Sequence, residues 1–250
     1  MTRSIEKQSF GIEYLFAAAA LIIAAVVIGW QLNRSVMVSE ITVHGHLLAD
    51  ADGVLYKSGI DEGMHGDSIV FLDVIERIET LPWIRTAHVN LSQTGRMRIR
   101  VEEERPIALL VDNGRSALVA ESGIVLPVVL GRQVDVPILH GFSLDGMLAD
   151  ATRPDTLASE SFEMARSFLA RAASYPGLYA MISEVMVTGQ DGVVALTDEN
   201  TVRLTFGHED FDRRLRKWQA FQSQVISQKG IDHVRTLDFR YSGQIVARER

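Results

Sequence analysis

A long apolar run near the N-terminus constrains this chain's fold more than any other feature of the sequence. Residues 14–30 carry no charged or strongly polar side chain. An α-helix rises about 1.5 Å per residue, so the run extended to Leu32 nearly spans a hydrocarbon core about 30 Å thick. Tyr14 and Trp30 stand at its two ends, where amphipathic rings prefer the membrane interface. The run therefore predicts a single transmembrane helix over residues 14–32.

Two other interpretations of the run, a buried core helix and a cleaved signal peptide, fit it less well. A core helix normally shows a polar stripe, which this run lacks. A signal peptide has an apolar region of about 7–15 residues and ends in a small-x-small site, whereas Gly-Trp-Gln-Leu-Asn follows here at 29–33. We therefore expect an uncleaved anchor.

The charges that flank the anchor give a weak orientation signal, because Arg3 and Lys7 precede it and Arg34 follows it. The large folded part follows the helix, as cargo follows a signal anchor. We therefore expect residues 1–13 to be a cytoplasmic tail and the remainder to lie outside the cytoplasm.

Composition excludes several classes of function. The chain has 250 residues and a formal net charge of −7 at pH 7. An acidic balance argues against general nucleic-acid binding, which needs lysine and arginine to replace counterions. Cysteine is absent, which removes disulfides, cysteine-ligated zinc and thiol catalysis.

The segment after the anchor has the pattern strand, helix, helix, strand, strand. We expect strands at 36–43, 84–91 and 96–102, and helices at 47–58 and between Ser68 and Pro82. Ser68 is predicted to cap the second helix and Pro82 to end it. The apolar residues on one face of that helix are Leu72, Ile75, Ile78 and Leu81. Two helices can cover one face of a three-stranded sheet and leave the other face in water.

Apolar and basic residues alternate along the last of these strands. Met97, Ile99 and Val101 are expected to point inward, and Arg96, Arg98 and Arg100 outward. The arginine row suits the wet face of the sheet. It could serve as a binding surface, but a solvated face is the favoured interpretation.

The rest of the chain mixes short strands with two amphipathic helices. We expect strands at 107–111, 117–120, 124–129, 136–141, 182–188, 193–197, 202–206, 234–240 and 244–248, and helices at 157–174 and 209–229. The apolar side of the first helix is predicted to consist of Phe162, Ala165, Phe168, Leu169 and Ala172, and that of the second of Leu215, Trp218, Phe221 and Val225. The second helix carries Arg213, Arg214, Arg216 and Lys217, which invite comparison with a phosphate site. At helical spacing they spread around an exposed arc, so a solvated face is favoured.

Several ordered motifs carry a resemblance to a known family. They are Leu81-Pro82-Trp83-Ile84 followed by Ala87-His88-Val89, then Arg98 to Glu102, Glu104-Arg105-Pro106-Ile107-Ala108, Val136 to Gly141, and Leu237-Asp238-Phe239-Arg240-Tyr241. In this order and directly after an anchor, they resemble the FtsQ/DivIB family of bacterial cell-division proteins. The chain departs from the family pattern at Ile84, where valine is usual, and by an added glutamate within 102–104.

The resemblance implies an α+β protein with four parts. These are the tail at 1–13, the transmembrane helix at 14–32, a POTRA domain of β-α-α-β-β order at 36–105, and an FtsQ-type β domain at 106–250. The last part would be a mixed α/β domain built on an antiparallel sheet.

The resemblance also implies a function. The chain would be a single-pass inner-membrane protein at the division septum that links early and late division proteins. Partners similar to FtsB and FtsL would add a strand to its C-terminal domain, and other division proteins are candidate partners of the POTRA domain. By residue match, the partner-binding residues are Arg240, Tyr241, Ser242, Gly243, Gln244, Ile245, Val246 and Ala247.

Two points about this segment stay open. The family has one more residue between the tyrosine and Ser-Gly, so the register of Ser242 is not fixed by the match. Tyr241 has an alternative interpretation as a buried core tyrosine.

Motifs for chemistry are missing from the sequence. The serine-hydrolase, P-loop and zinc-protease signatures do not occur, and Ser4-x-x-Lys7 lies in a tail too short to build a pocket. His44 and His46 alternate on one strand without a third ligand, so a strand end is favoured over a metal site. Asp50-Ala51-Asp52-Gly53 lacks the later oxygen donors of a calcium loop and suits a helix start. We predict no catalytic residues, cofactor, metal or small-molecule substrate.

Two other classes of protein remain as alternatives. A POTRA-bearing secretion or outer-membrane assembly factor would usually carry repeated modules or a membrane barrel, and the sequence shows one module. An anchored periplasmic enzyme would need converging catalytic residues.

Overall fold

The computed structural model describes residues 16, 19–26, 36–148, 154–198, 201–227, 230–231 and 233–250. The cytoplasmic tail and most of the transmembrane helix predicted at 14–32 lie outside these residues. Residues 19–26 are helical and exposed. Within the ranges given, no helix has the length and apolar character needed to cross a membrane. The transmembrane helix therefore stays a prediction.

The first sheet has the predicted β-α-α-β-β order. Its elements are β1 (Glu40–His44), α1 (Ala51–Ser58), α2 (Phe71–Glu79), β2 (Ile84–Leu91) and β3 (Arg96–Glu103), with a 3-10 turn at Gly66–Ser68. The strand order is β1-β3-β2, with β1 parallel and β2 antiparallel to β3.

Helix α1 ends where the sequence predicts, but it begins at Ala51, four residues after the predicted start at Leu47. The Asp50 carboxylate accepts hydrogen bonds from the backbone N–H groups of Asp52 and Gly53, at 3.4 and 3.1 Å. Gly59 then adopts the left-handed conformation and ends the helix. The predicted role of this segment at a helix start is confirmed.

Helix α2 differs from the prediction at its start. It begins at Phe71, and the Ser68 hydroxyl donates to the His65 carbonyl, at 2.6 Å, rather than capping the helix. A 3-10 turn at Gly66–Ser68 lies before the helix. Within the helix Val74 and Ile78 are buried, whereas Leu72 is exposed. Periodicity identified the helix but misplaced its inner face at one position.

The hairpin of β2 and β3 is confirmed. Met97, Ile99 and Val101 are buried against residues of the two helices, including Val54 and Val74. The three arginines that alternate with them are exposed. The two helices therefore cover one face of this sheet and leave the arginine row on the other.

The second sheet has nine strands. They are β4 (Pro106–Asp112), β5 (Arg115–Ala120), β6 (Val125–Pro127), β7 (Ile138–His140), β8 (Ile182–Thr188), β9 (Gly192–Thr197), β10 (Arg203–Gly207), β11 (Val234–Asp238) and β12 (Val246–Glu249). Its helices are α3 (Glu160–Ala172), α4 (Pro176–Tyr179) and α5 (Phe211–Phe221), which continues into a π-helical turn at Gln222–Ile226. The strand order is β12-β11-β10-β9-β8-β7-β4-β5-β6.

This sheet is mixed, so the predicted antiparallel sheet is wrong. The pairs β4–β7, β7–β8 and β10–β11 are parallel. Helix α3 lies between β7 and β8 in the chain, and α5 lies between β10 and β11. Such helical crossovers return the chain to the starting end of the sheet, which makes the two strands parallel.

Helices α3 and α5 bury their apolar sides against the sheet. The inward residues predicted for α3 are all buried, namely Phe162, Ala165, Phe168, Leu169 and Ala172. In α5, Leu215 and Trp218 are buried as predicted, but Arg214 is buried too and donates to the Phe206 carbonyl. The fully exposed basic arc predicted for α5 is therefore wrong at Arg214.

The two sheets meet at a small apolar cluster. The Trp83 ring, which follows α2, packs against Leu118, Ala120 and Leu126 of the second sheet. The chain changes sheet between Glu103 and Pro106. That position agrees with the predicted domain boundary between residues 105 and 106, and the boundary itself stays a prediction.

Candidate partner-binding edge strand

The predicted partner-binding residues lie together at one end of the nine-stranded sheet. Arg240 to Ile245 connect β11 to β12, and Val246 and Ala247 begin β12. Strand β12 pairs with β11 on one side, and no strand among the described residues pairs with its other side. An open strand edge offers unpaired N–H and C=O groups to an incoming strand.

The hydrogen bonds around β11 show which groups of β12 face outward. The Phe239 N–H donates to the Thr205 carbonyl at 3.0 Å, on the β10 side, so the preceding Asp238 points its backbone groups toward β12. Asp238 lies opposite Val246, which places Val246 in a hydrogen-bonded pair with β11.

A second bond at the far end of β12 agrees with this assignment. The Arg250 N–H donates to the His233 carbonyl at 3.1 Å. Since backbone groups alternate along a strand, Val246, Arg248 and Arg250 point toward β11. Ala247 and Glu249 therefore present their N–H and C=O groups at the open edge.

Arg240 is held by acids of its own chain. Its guanidinium donates to the Asp238 carboxylate at 2.6–3.1 Å and to the Asp191 carboxylate at 2.9 Å. Asp191 also binds Arg203 at 2.8 Å. About a third of the Arg240 side chain remains exposed. The network ties the β11–β12 connection to the β8–β9 turn through all three guanidinium nitrogens.

The same network sets the protonation of its members. Burial raises the pKa of Asp238, but hydrogen bonds from the Arg240 side chain and backbone outweigh it, so the pKa lies below its ordinary value. Hydrogen bonding to Asp238 raises the pKa of Arg240 above its ordinary value. The pair is therefore charged on both sides at neutral pH.

Tyr241 is an exposed side chain, with 49% of its surface accessible. The alternative of a buried core tyrosine is wrong. Its backbone carbonyl accepts a hydrogen bond from the Lys217 ammonium of α5. The side chain is thus half exposed, while the backbone that carries it is held by α5.

The remaining predicted residues divide between exposed and partly packed positions. Ser242, Gly243 and Gln244 are exposed, and Gly243 has a positive φ of 77°, which suits the turn into β12. Ile245 is half-buried and packs against the main core. The segment therefore combines an exposed turn with a packed residue that fixes where β12 begins.

Phe239, at the start of the β11–β12 connection, packs in a cluster of buried aromatic rings. This role was not predicted from the sequence. The Phe239 ring stacks on Phe206, with centroids 5.0 Å apart and planes 8° apart, and meets Trp218 edge-on at 6.1 Å. All three rings are fully buried. In the sequence the apolar Phe239 lies between the charged residues Asp238 and Arg240. That alternation was the signal from which a buried Phe239 could have been predicted.

The structure gives no metal site to His44 and His46. Throughout the ranges that it describes, no group of three or more histidine, aspartate or glutamate side chains could hold a metal ion. The absence of a metal stays a prediction.

Stability should depend on pH through Asp238. Its pKa is lower in the folded chain than the ordinary 3.8, so the stabilisation is complete above that value and is lost as the pH falls through the folded pKa. We expect Asp238→Asn to reduce the free energy of unfolding by about 1–2 kcal/mol at pH 7. The difference from the wild type should shrink below pH 4. Urea unfolding at a series of pH values measures it, and a pH-independent difference would contradict the assignment.

These features define a class of α+β protein. A three-stranded sheet with two helices on one face leads into a helix-backed mixed sheet whose last strand is open on one side within the described residues.

Comparisons with known proteins identify the family. A family model described as FtsQ/DivIB, C-terminal related, matches residues 105–248. The chain is 30% identical to the cell division protein FtsQ of Rhodothermus marinus, with 94% of this chain and 86% of that protein aligned. It is 28% identical to FtsQ of Salinibacter ruber, with 100% and 98% aligned. The chain belongs to the FtsQ/DivIB family.

Proposed function

We propose that this chain is a cell-division scaffold that binds an FtsB- or FtsL-like partner by strand addition along β12. The observation that carries the proposal is the open edge of β12, where Ala247 and Glu249 direct backbone groups outward. Family membership and relatives named cell division protein FtsQ support the division role. The protein works by binding rather than by catalysis, and it needs no cofactor, metal or small-molecule substrate.

The mechanism divides affinity and selectivity between main chain and side chains. A partner strand would pair with the backbone of Ala247 and Glu249, which supplies affinity without sequence selection. Tyr241, at the turn that leads into β12, would give an exposed aromatic anchor. The exposed part of the Arg240 guanidinium would favour a partner with an acidic residue near this turn.

The fixed framework favours binding by a preformed edge. Phe239 is locked in the aromatic cluster, and Arg240 is paired with two carboxylates. The β11–β12 connection therefore loses little conformational freedom when a partner arrives, and a lower ordering cost leaves more binding free energy.

The rest of the chain would determine where in the cell this edge lies. We propose that residues 14–32 anchor the protein in the inner membrane as a single pass, with the N-terminus in the cytoplasm and the two sheets in the periplasm. The β-α-α-β-β sheet would be a POTRA domain that contacts further division proteins.

A localisation experiment and a binding experiment together test the function. A fluorescent fusion should gather at the division septum, and the purified chain should bind an FtsB-like peptide in calorimetry. A uniform envelope signal without peptide binding would contradict the scaffold role and favour a secretion or assembly factor.

The proposed topology predicts a specific protease result. Protease added to spheroplasts should digest the two sheets, because they would face the periplasm, and should leave a cytoplasmic marker intact. Protection of the sheets until the inner membrane is opened would mean that the orientation is reversed.

A further inference from the structure

The open face of the three-stranded sheet carries an ordered set of basic and polar side chains. The strand register places Arg100 between His44 and His88, and Arg98 between Thr42 and Asn90. Side chains directly opposite each other on one face have Cβ atoms about 5 Å apart. The two arginines lie two residues apart on β3, which separates them by about 7 Å.

Ion pairs close both ends of this row but leave its middle open. Arg96 binds Glu40 at 3.4 Å at one end, and Arg85 binds Glu102 at 3.0 Å at the other. Arg98 and Arg100 are exposed between them, and neither has an acidic partner among the residues that the structure describes. A groove of about 430 Å³ runs beside Arg98.

We propose that Arg98 and Arg100 form a docking site for a short acidic segment of a partner protein. This site is separate from β12 and does not depend on strand addition there. Each guanidinium would take one carboxylate through paired hydrogen bonds. Of the two side chains that flank Arg98, Asn90 would donate to or accept from the segment's polar groups, and Thr42, whose hydroxyl donates to the Met97 carbonyl at 3.4 Å, would accept.

The spacing of the arginines fits an extended peptide. In an extended segment, side chains two residues apart project on one side about 7 Å from each other. Two acidic residues separated by a single residue would therefore meet the two guanidinium groups together. The solvated-face interpretation explains exposed arginines one at a time, but it does not explain why neighbouring acids close the ends and leave this pair open.

Charge distribution favours a short acidic segment over a long polyanion. The chain as a whole carries a net charge of −7. This face, in contrast, carries more basic than acidic side chains, so its local charge is positive. A long polyanion that follows the row would meet Glu40 at one end and Glu102 at the other. Like charges there would repel it, whereas two carboxylates fit between the ends.

The test uses a labelled synthetic peptide and the full chain in mild detergent. The peptide has two glutamates separated by one threonine, and binding is followed by fluorescence anisotropy at low salt. Arg98→Gln/Arg100→Gln should weaken binding about tenfold, since each exposed pair contributes a few-fold. Arg105→Gln/Arg132→Gln removes the same charge from exposed positions elsewhere and should change binding less than twofold.

Three results would overturn the proposal. The first is equal binding of a matched peptide with glutamine in place of both glutamates. The second is an equal loss of affinity in both double variants, which would indicate a general charge effect. The third is tighter binding of inorganic polyphosphate than of the peptide through the same two arginines, which would make the occupant a polyanion. Circular dichroism of each variant checks that the sheet is intact.

Discussion

Replacing Ala247 with proline should abolish most partner binding while the chain stays folded. The Ala247 N–H points away from β11 and toward the open edge, so proline removes a donor that the intact sheet does not use. Proline also places its ring where a partner strand would lie, and it is tolerated on strands whose N–H faces solvent. We expect the affinity for an FtsB-like peptide to fall at least tenfold in calorimetry.

Two further variants make this test specific. Ala247→Ser keeps the N–H and should bind like the wild type. Val246→Pro removes a donor that pairs with β11 and should destabilise the sheet, because a ladder hydrogen bond is lost within the protein. If Ala247→Pro is folded and binds normally, the partner does not pair along β12.

Replacing Phe239 with alanine should be the most destabilising change near the site. The ring is fully buried and contacts Phe206 and Trp218. Phenylalanine-to-alanine changes at such positions cost about 3–5 kcal/mol, because apolar burial is lost and a cavity remains. Urea unfolding should show this loss, and binding should weaken because the β11–β12 connection is no longer fixed.

Tyr241→Ala provides the matched control two residues away. The Tyr241 side chain is about half exposed, so we expect stability to change by less than about 1 kcal/mol. Binding should fall by about 2 kcal/mol or more if the ring is a hot spot. Equal effects of the two variants on stability would contradict the division into a supporting ring and a contacting ring.

Local patterns were sufficient for most of the secondary structure. The alternation of Met97, Ile99 and Val101 with arginines predicted both faces of β3, and the spacing of apolar residues in α3 predicted its buried side. These patterns are readable because a strand repeats every two residues and a helix every 3.6. The order of motifs was also enough to indicate the family.

Contacts between distant segments were beyond the reach of local patterns. The parallel pairing of β10 with β11 depends on how α5 returns the chain, and the burial of Arg214 depends on the Phe206 carbonyl that it meets. Helical spacing alone placed Arg214 on an exposed arc. The start of α2 is another case, since the 3-10 turn before it is held by a hydrogen bond from the Gly66 N–H to the distant Val36 carbonyl, at 2.7 Å.

The sequence by itself determined the location of the candidate site, and the tertiary structure decided how its residues work. The match at Arg240 and Tyr241 identified the segment, since chemical identity and order are properties of the chain. Which backbone groups face outward was decided by the pairing of β11 with both neighbours, because hydrogen-bond direction follows from register. The partners of Arg240 were decided in the same way, since folding alone brings Asp191 across 49 positions to its guanidinium.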